Sequence, residues 1–153
     1  MLLKKQGGEN LAGKIKRYQL KLPSSTNHLE LIREFVTNIA RGVGFDDEKI
    51  SQIELAVDEA CTNVVKHAYK GDDKQPLDVL VQTDSKKFKI IISDKGKGFS
   101  PNKIKTPDMK KYLSEMRVGG LGIYLMQTLM DEVDFKMEPG KKNRVQLVKY
   151  IPQ

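Results

Sequence analysis

The sequence predicts an α+β fold: a two-layer α/β sandwich with helices on one face of a mixed, mostly antiparallel sheet. Three observations predict it. Apolar residues recur at helical spacing in two consecutive stretches, Leu29 to Ile39 and Ile50 to Ala68. Short alternating or fully apolar runs, the mark of half-buried and buried strands, precede and follow them. The chain has 153 residues, 39% hydrophobic and 31% charged, which suits one domain with a single core.

Each element has its own signal. Residues 1–13 hold Gly7, Gly8 and Gly13 without periodicity and read as a flexible leader, leaving one domain over 14–153. Ile15, Arg17, Leu20 and Leu22 suggest a first strand, stopped by Pro23-Ser24-Ser25-Thr26-Asn27, which also offers helix caps. Leu29, Ile32, Phe35, Val36 and Ile39 form the first helical stripe, ending near Gly42 or Gly44. Asp46-Asp47-Glu48 places negative charge on the first turn of a second helix, where the dipole favours it. Ile50, Ile53, Val57, Ala60, Val64 and Ala68 carry that helix to about Tyr69. Leu77, Val79 and Val81 alternate as a strand, and Phe88 to Ile92 make a more buried one beyond a turn at Asp84-Ser85. After Asp94 the chain is rich in Gly and Lys through Val118, a length uncommon for a loop without a function. A helix from Leu121 to about Met130 follows, then strands over 133–137 and 144–150 around Pro139-Gly140.

Composition excludes several classes. No run of about 18 apolar residues exists to span a membrane, and Met1-Leu2-Leu3 followed by Lys4-Lys5 does not make a secretory signal. The lone Cys61 rules out an internal disulfide or a Cys-rich zinc site, and a reducing cytoplasmic setting is expected. The net charge of +7 is unevenly spread: +5 over residues 1–26, −5 over 27–73 and +8 over 86–149. A basic surface attracts any polyanion, nucleotide phosphates and acidic proteins included, so charge does not select nucleic acid, and no direct nucleic-acid partner is expected.

Three constellations carry chemistry. In Glu59-Ala60-Cys61-Thr62-Asn63 the carboxylate and the amide lie about 40° apart on one helix side, off the centre of the apolar stripe. Such a pair can orient a nucleophile and hold a hydrated Mg²⁺, which takes oxygen ligands; it can equally be an ordinary solvated pair. Asp94-Lys95-Gly96-Lys97-Gly98 follows an apolar strand and offers one acceptor with two sites of close backbone approach, or a plain turn. Gly119-Gly120-Leu121-Gly122 opens a helix after the long loop, giving unpaired N–H groups at the positive dipole end or simple loop closure. Gly8-Glu9-Asn10-Leu11-Ala12-Gly13-Lys14-Ile15 mimics a phosphate-binding P-loop but fails it. Ile15 has no hydroxyl for Mg²⁺, and no apolar strand precedes Gly8.

In this order, and separated by a long loop, the three constellations resemble the N, G1 and G2 boxes of the GHKL (Bergerat-type, histidine-kinase-like) ATPase superfamily. Glu59-Ala-Cys-Thr-Asn63-Val-Val-Lys-His67-Ala-Tyr69 and Gly119-Gly-Leu-Gly122-Ile-Tyr-Leu-Met-Gln-Thr128-Leu-Met-Asp-Glu-Val133 are similar to bacterial anti-sigma factor serine/threonine-protein kinases, over about residues 14–150. Sensor histidine kinases share the ATP fold but need a phosphoacceptor His on a dimerising helix pair. Here His28 falls in the first helix and His67 in the N box, and no room upstream is expected.

The resemblance implies a GHKL sandwich holding Mg-ATP beneath a mobile lid at about residues 100–118. It implies that Asn63 coordinates Mg²⁺, that Asp94 accepts from the adenine amino group, and that Gly96 and Gly98 let the base sit against the backbone. Gly120, Leu121 and Gly122 would offer N–H groups to the phosphates, with Lys66 and Arg117 neutralising charge. Glu59 would be the general base for a Ser or Thr hydroxyl of an anti-sigma factor antagonist. Arg33 falls where the family has a partner-contacting arginine, and the acidic face of Glu30, Glu34, Asp46, Asp47 and Glu48 would meet a sigma factor. A cytoplasmic homodimer acting by partner switching follows from the same resemblance. Two other readings stay open: an ATPase in which Glu59 activates water, and a non-catalytic module using ATP to shape its lid. The Lys-rich stretch after Phe99 (Lys103, Lys105, Lys110, Lys111) departs from the family pattern.

Overall fold

A computed structural model describes residues 2–10, 13–96 and 121–153, with side chains from Lys14 onward. Strands β1 (Leu2–Asn10) and β2 (Gly13–Pro23) lead into a 3₁₀ turn (Thr26–His28) and helices α1 (Leu29–Val43) and α2 (Asp47–Asn63). A π-turn (Val64–Ala68), strands β3 (Pro76–Thr83) and β4 (Lys87–Asp94), helix α3 (Leu121–Leu129), and strands β5 (Glu132–Glu138) and β6 (Lys142–Tyr150) follow. The sheet order is β1-β2-β3-β4-β6-β5, and the helices pack on one face. All five pairings are antiparallel, so the sheet expected as mixed is wholly antiparallel among the described strands.

Helix α1 buries Ile32, Val36, Thr37 and Ala40, a stripe at the spacing that places residues three and four apart on one face. The Asp46 side chain caps α2 by accepting from the Lys49 N–H at 2.8 Å, with Asp47 and Glu48 in the first turn. Ile50, Ile53, Ala56, Val57, Ala60 and Cys61 of α2 face the sheet. Between the layers, Phe45 meets Phe88 edge-on with ring centroids 5.5 Å apart.

In β4 the alternation that buries Phe88, Ile90 and Ile92 also turns Asp94 inward, so a carboxylate lies at the end of an apolar row. Strand β6 does the same with Asn143, Val145, Leu147 and Lys149. Asp94 and Asn143 stand opposite each other in the pairing register.

Two expectations need correction. The leader over 1–13 contains a strand: Leu2–Asn10 pairs with β2 from Leu2↔Lys21 to Asn10↔Gly13. Main-chain pairing at a sheet edge leaves no hydropathy signature, which is why periodicity missed it. The second helix does not stay α-helical to Tyr69. It widens after Asn63 into the π-turn, closed by the Tyr69 N–H on the Val64 carbonyl at 3.0 Å.

Candidate active site

The last α-helical turns of α2 carry Glu59 and Asn63, half-buried on the side that meets α3. A methyl group built on Gly122 would stand 2.8 Å from Glu59 Oε2 and 3.7 Å from Asn63 Oδ1. The absent side chain at Gly122 is therefore what lets the α3 N-terminus approach the acid–amide pair. The N and G2 motifs, roughly sixty residues apart in the sequence, share one site.

Burial raises the Glu59 carboxyl above the ordinary glutamate range; the neighbouring Asp58 charge adds to this and Lys66 opposes it. A carboxylate so placed is a better proton acceptor than a solvated one. Lys66 is exposed on the π-turn, within electrostatic reach of Glu59. Arg33 donates from Nη1 to Asp58 Oδ1 at 2.8 Å. That pairing holds it beside α2, at the residue that precedes Glu59.

Asp94 is 7% exposed and its Oδ1 accepts from the Gly96 N–H at 2.8 Å and from Asn143 Nδ2 at 3.1 Å. Asn143 Nδ2 also donates to the Gly96 carbonyl at 2.8 Å, and the Gly140 N–H reaches the same carbonyl at 3.0 Å. Among the described residues, the fully buried Asn143 Oδ1 has no hydrogen-bond partner. Asp94 and Asn63 both line a small slot of about 60 Å³, walled mainly by Ile92, Met126, Phe135, Met137 and Val145, with His67 and Arg144 also in its lining. A mostly apolar lining that includes a carboxylate acceptor is the chemistry a heteroaromatic base carrying an amino group would use, though the slot is smaller than a whole purine.

A methyl group on Gly96 would lie 2.5 Å from the Ala68 carbonyl oxygen and 2.9 Å from Ala68 Cβ. Gly96 is therefore required for packing the Asp94 turn against the end of α2. Leu121 is the first residue of α3. Gly98, Arg117, Gly120 and the lid over 100–118 lie outside the described residues.

Sequence reasoning passed over Asn143, which fixes the Asp94 turn through two hydrogen bonds. A signal was present: a polar amide at an inward position of an otherwise apolar alternation. There are two larger hollows: one of about 590 Å³ beside the strand ends at Lys21, Pro76 and Lys142, which Asp94 also lines, and one of about 700 Å³ between β2 and α1. Neither includes Glu59 or Asn63.

Among the described residues there is no cluster of three or more His, Cys, Asp or Glu side chains that could hold a metal ion. The side-chain oxygens of Glu59 and Asn63, both close to Gly122, are of the kind Mg²⁺ takes as ligands. This ion uses one or two protein oxygens and completes its shell with water and phosphate oxygens.

Comparison with known proteins places this geometry. The histidine kinase-like ATPase domain matches residues 22–149. The serine-protein kinase RsbW of Bacillus pumilus is 38% identical over 129 residues, 80% of this chain and 79% of its own length. Its namesake in Staphylococcus aureus is 35% identical over 138 residues, 87% of this chain and 86% of its own. Among solved structures, the SiaB–SiaC complex of Pseudomonas aeruginosa aligns with a TM-score of 0.64 at 12% identity, over 85% of this chain and 87% of the other. A Mycobacterium tuberculosis protein containing RsbU and RsbW domains aligns at 0.63 with 16% identity, over 89% of this chain and 32% of that larger one. At those identities the structures share the fold. Motif order, converging geometry and sequence similarity agree: the chain belongs to the histidine kinase-like ATPase family, in the branch of the RsbW serine-protein kinases.

Proposed function

We propose that this protein is an anti-sigma factor and serine/threonine-protein kinase that transfers the γ-phosphate of ATP to an anti-sigma factor antagonist and sequesters a sigma factor. The observation that carries the proposal is the convergence of Glu59 and Asn63 on Gly122, with Asn63 also lining the slot that contains Asp94.

Adenine would enter the slot with its amino group donating to Asp94. The triphosphate would then run past Asn63 toward the α3 N-terminus, where the N–H groups of Leu121 and Gly122 favour negative charge. Lys66 adds a positive charge nearby. Asn63 would hold Mg²⁺, which, when bound, offsets charge on the phosphate oxygens. Glu59 takes the proton of the incoming Ser or Thr hydroxyl as its oxygen bonds to the γ-phosphorus and the bridging oxygen leaves with ADP. A raised pKa helps here, because a base nearer the working pH is the better acceptor. Arg33, already paired with Asp58, would meet the partner protein on the acidic α1–α2 face. A homodimer in the cytoplasm, with no direct nucleic-acid contact, completes the reading; light scattering tests the dimer.

The decisive experiment compares wild type with Glu59→Gln. Wild type should bind Mg-ATP and phosphorylate the captured antagonist. The variant should bind ATP with similar affinity and lose transfer by roughly 10²–10⁴-fold. Release of inorganic phosphate without a phosphorylated protein would instead make water the acceptor. Unchanged partner regulation in the variant would make catalysis irrelevant.

A further inference from the structure

Tyr69 follows the π-turn with its ring in the core and 9% of its surface exposed. Its hydroxyl makes two hydrogen bonds to widely separated parts of the chain. It donates to the Pro76 carbonyl at 2.7 Å, where β3 begins, and accepts from the Lys95 N–H at 2.7 Å. Lys95 is the residue between Asp94 and Gly96. On its other side the same turn is pressed against Ala68, one residue before Tyr69.

The end of the N motif and the Asp94 turn are thus joined twice, by the Tyr69 hydroxyl and by the Gly96–Ala68 contact. A phenol is protonated at neutral pH and so can donate; burial raises its pKa further. The π-turn matters to this geometry, because widening the helix by one residue per turn sets where Tyr69 leaves it.

We propose that Tyr69 is a positioning residue for nucleotide selection: its hydroxyl clamps the main chain at Lys95 and fixes the Asp94 carboxylate relative to Asn63 and Glu59. Base recognition and phosphate chemistry are thereby kept at one spacing. The inference rests on the ATP-kinase reading given above.

The test is Tyr69→Phe, which keeps the ring and removes both hydrogen bonds. Wild type and variant are each assayed with ATP and with inosine triphosphate, which lacks the amino group Asp94 would accept from. In the variant, KM for ATP should rise roughly threefold to tenfold, the worth of about one hydrogen bond. The turnover number should change little, and the preference for ATP over inosine triphosphate should shrink by a similar factor. Equal weakening of both nucleotides would reduce Tyr69 to general structural support and overturn the proposal, as would an unaltered preference.

A second measurement needs no variant. Hydrogen exchange on the nucleotide-free wild type should find the Lys95 amide protected; free exchange there overturns the clamp even if Tyr69→Phe fails to fold. A wild type that binds no adenine nucleotide sinks the kinase reading and this inference together. Normal wild-type selectivity with an unchanged variant sinks this inference alone.

Discussion

Glu59 combines two demands that pull against each other, since the burial that raises its proton affinity also makes its ionised form costly to the fold. The folded protein binds this proton more tightly than the unfolded chain does. Stability is therefore lost as pH rises from the ordinary glutamate pKa through the raised one. Glu59→Gln should consequently melt no lower than wild type at neutral pH, with its advantage shrinking as pH falls through that window; calorimetry at several pH values reads this directly. Phosphotransfer by wild type should fall along the same titration, and its acidic limb in kcat/KM should lie above the ordinary carboxylate range. The two tight glycines separate by what they touch. Gly122→Ala meets a movable carboxylate oxygen at 2.8 Å, so it should fold, bind ATP and lose transfer as Glu59 is displaced. Gly96→Ala meets a backbone carbonyl at 2.5 Å and should cost stability and nucleotide affinity together, seen as a lowered Tm and a raised ATP Kd.

Helices α1 and α2 were legible because a buried face repeats at 3.6 residues, and the first turn of α2 was marked by its cap and charge. Asp46 shows how local that information is. Its carboxylate takes one otherwise unpaired N–H of α2, so Asp46→Ala should lower unfolding free energy by about 1 kcal/mol in urea titrations, with ATP affinity unchanged. The π-turn was not legible, because Val64 and Ala68 suit an α-helical stripe as well as a π-turn and only the tertiary contacts of Tyr69 and Gly96 decide between them. Strand β1 was hidden for a related reason: its register with β2 is a main-chain property. The glycines of the G1 and G2 motifs were legible as special positions. What each makes room for was not, since that depends on which element lies across from it in space.

The sheet order β4-β6-β5 places the last-but-one strand at the edge and the last strand in the interior, an exchange no local pattern encodes. Lys149 records its consequence for the whole molecule. It lies on β6 in the inward row with Val145 and Leu147, is 5% exposed, and donates to Gln52 Oε1 of α2 at 2.7 Å and to the Leu129 carbonyl at the end of α3. One ammonium group thus ties the sheet to both helices that build the site, at the ends remote from Asn63 and Gly122. Burial lowers its pKa, with Lys49 contributing in the same direction and Asp131 and Glu48 opposing. In the window between the folded and unfolded values the unfolded chain binds more protons, so stability associated with Lys149 rises with pH there. Lys149→Met keeps most of the buried volume but leaves the Leu129 carbonyl and the Gln52 amide unpartnered. It should reduce unfolding free energy by roughly 1–3 kcal/mol at neutral pH. Urea titrations of both proteins from neutral to mildly alkaline pH should show that deficit widening as the ordinary lysine pKa is approached. A deficit that stays constant would mean that Lys149 holds its proton equally in both states, and that burial is fully offset by its hydrogen bonds and Asp131.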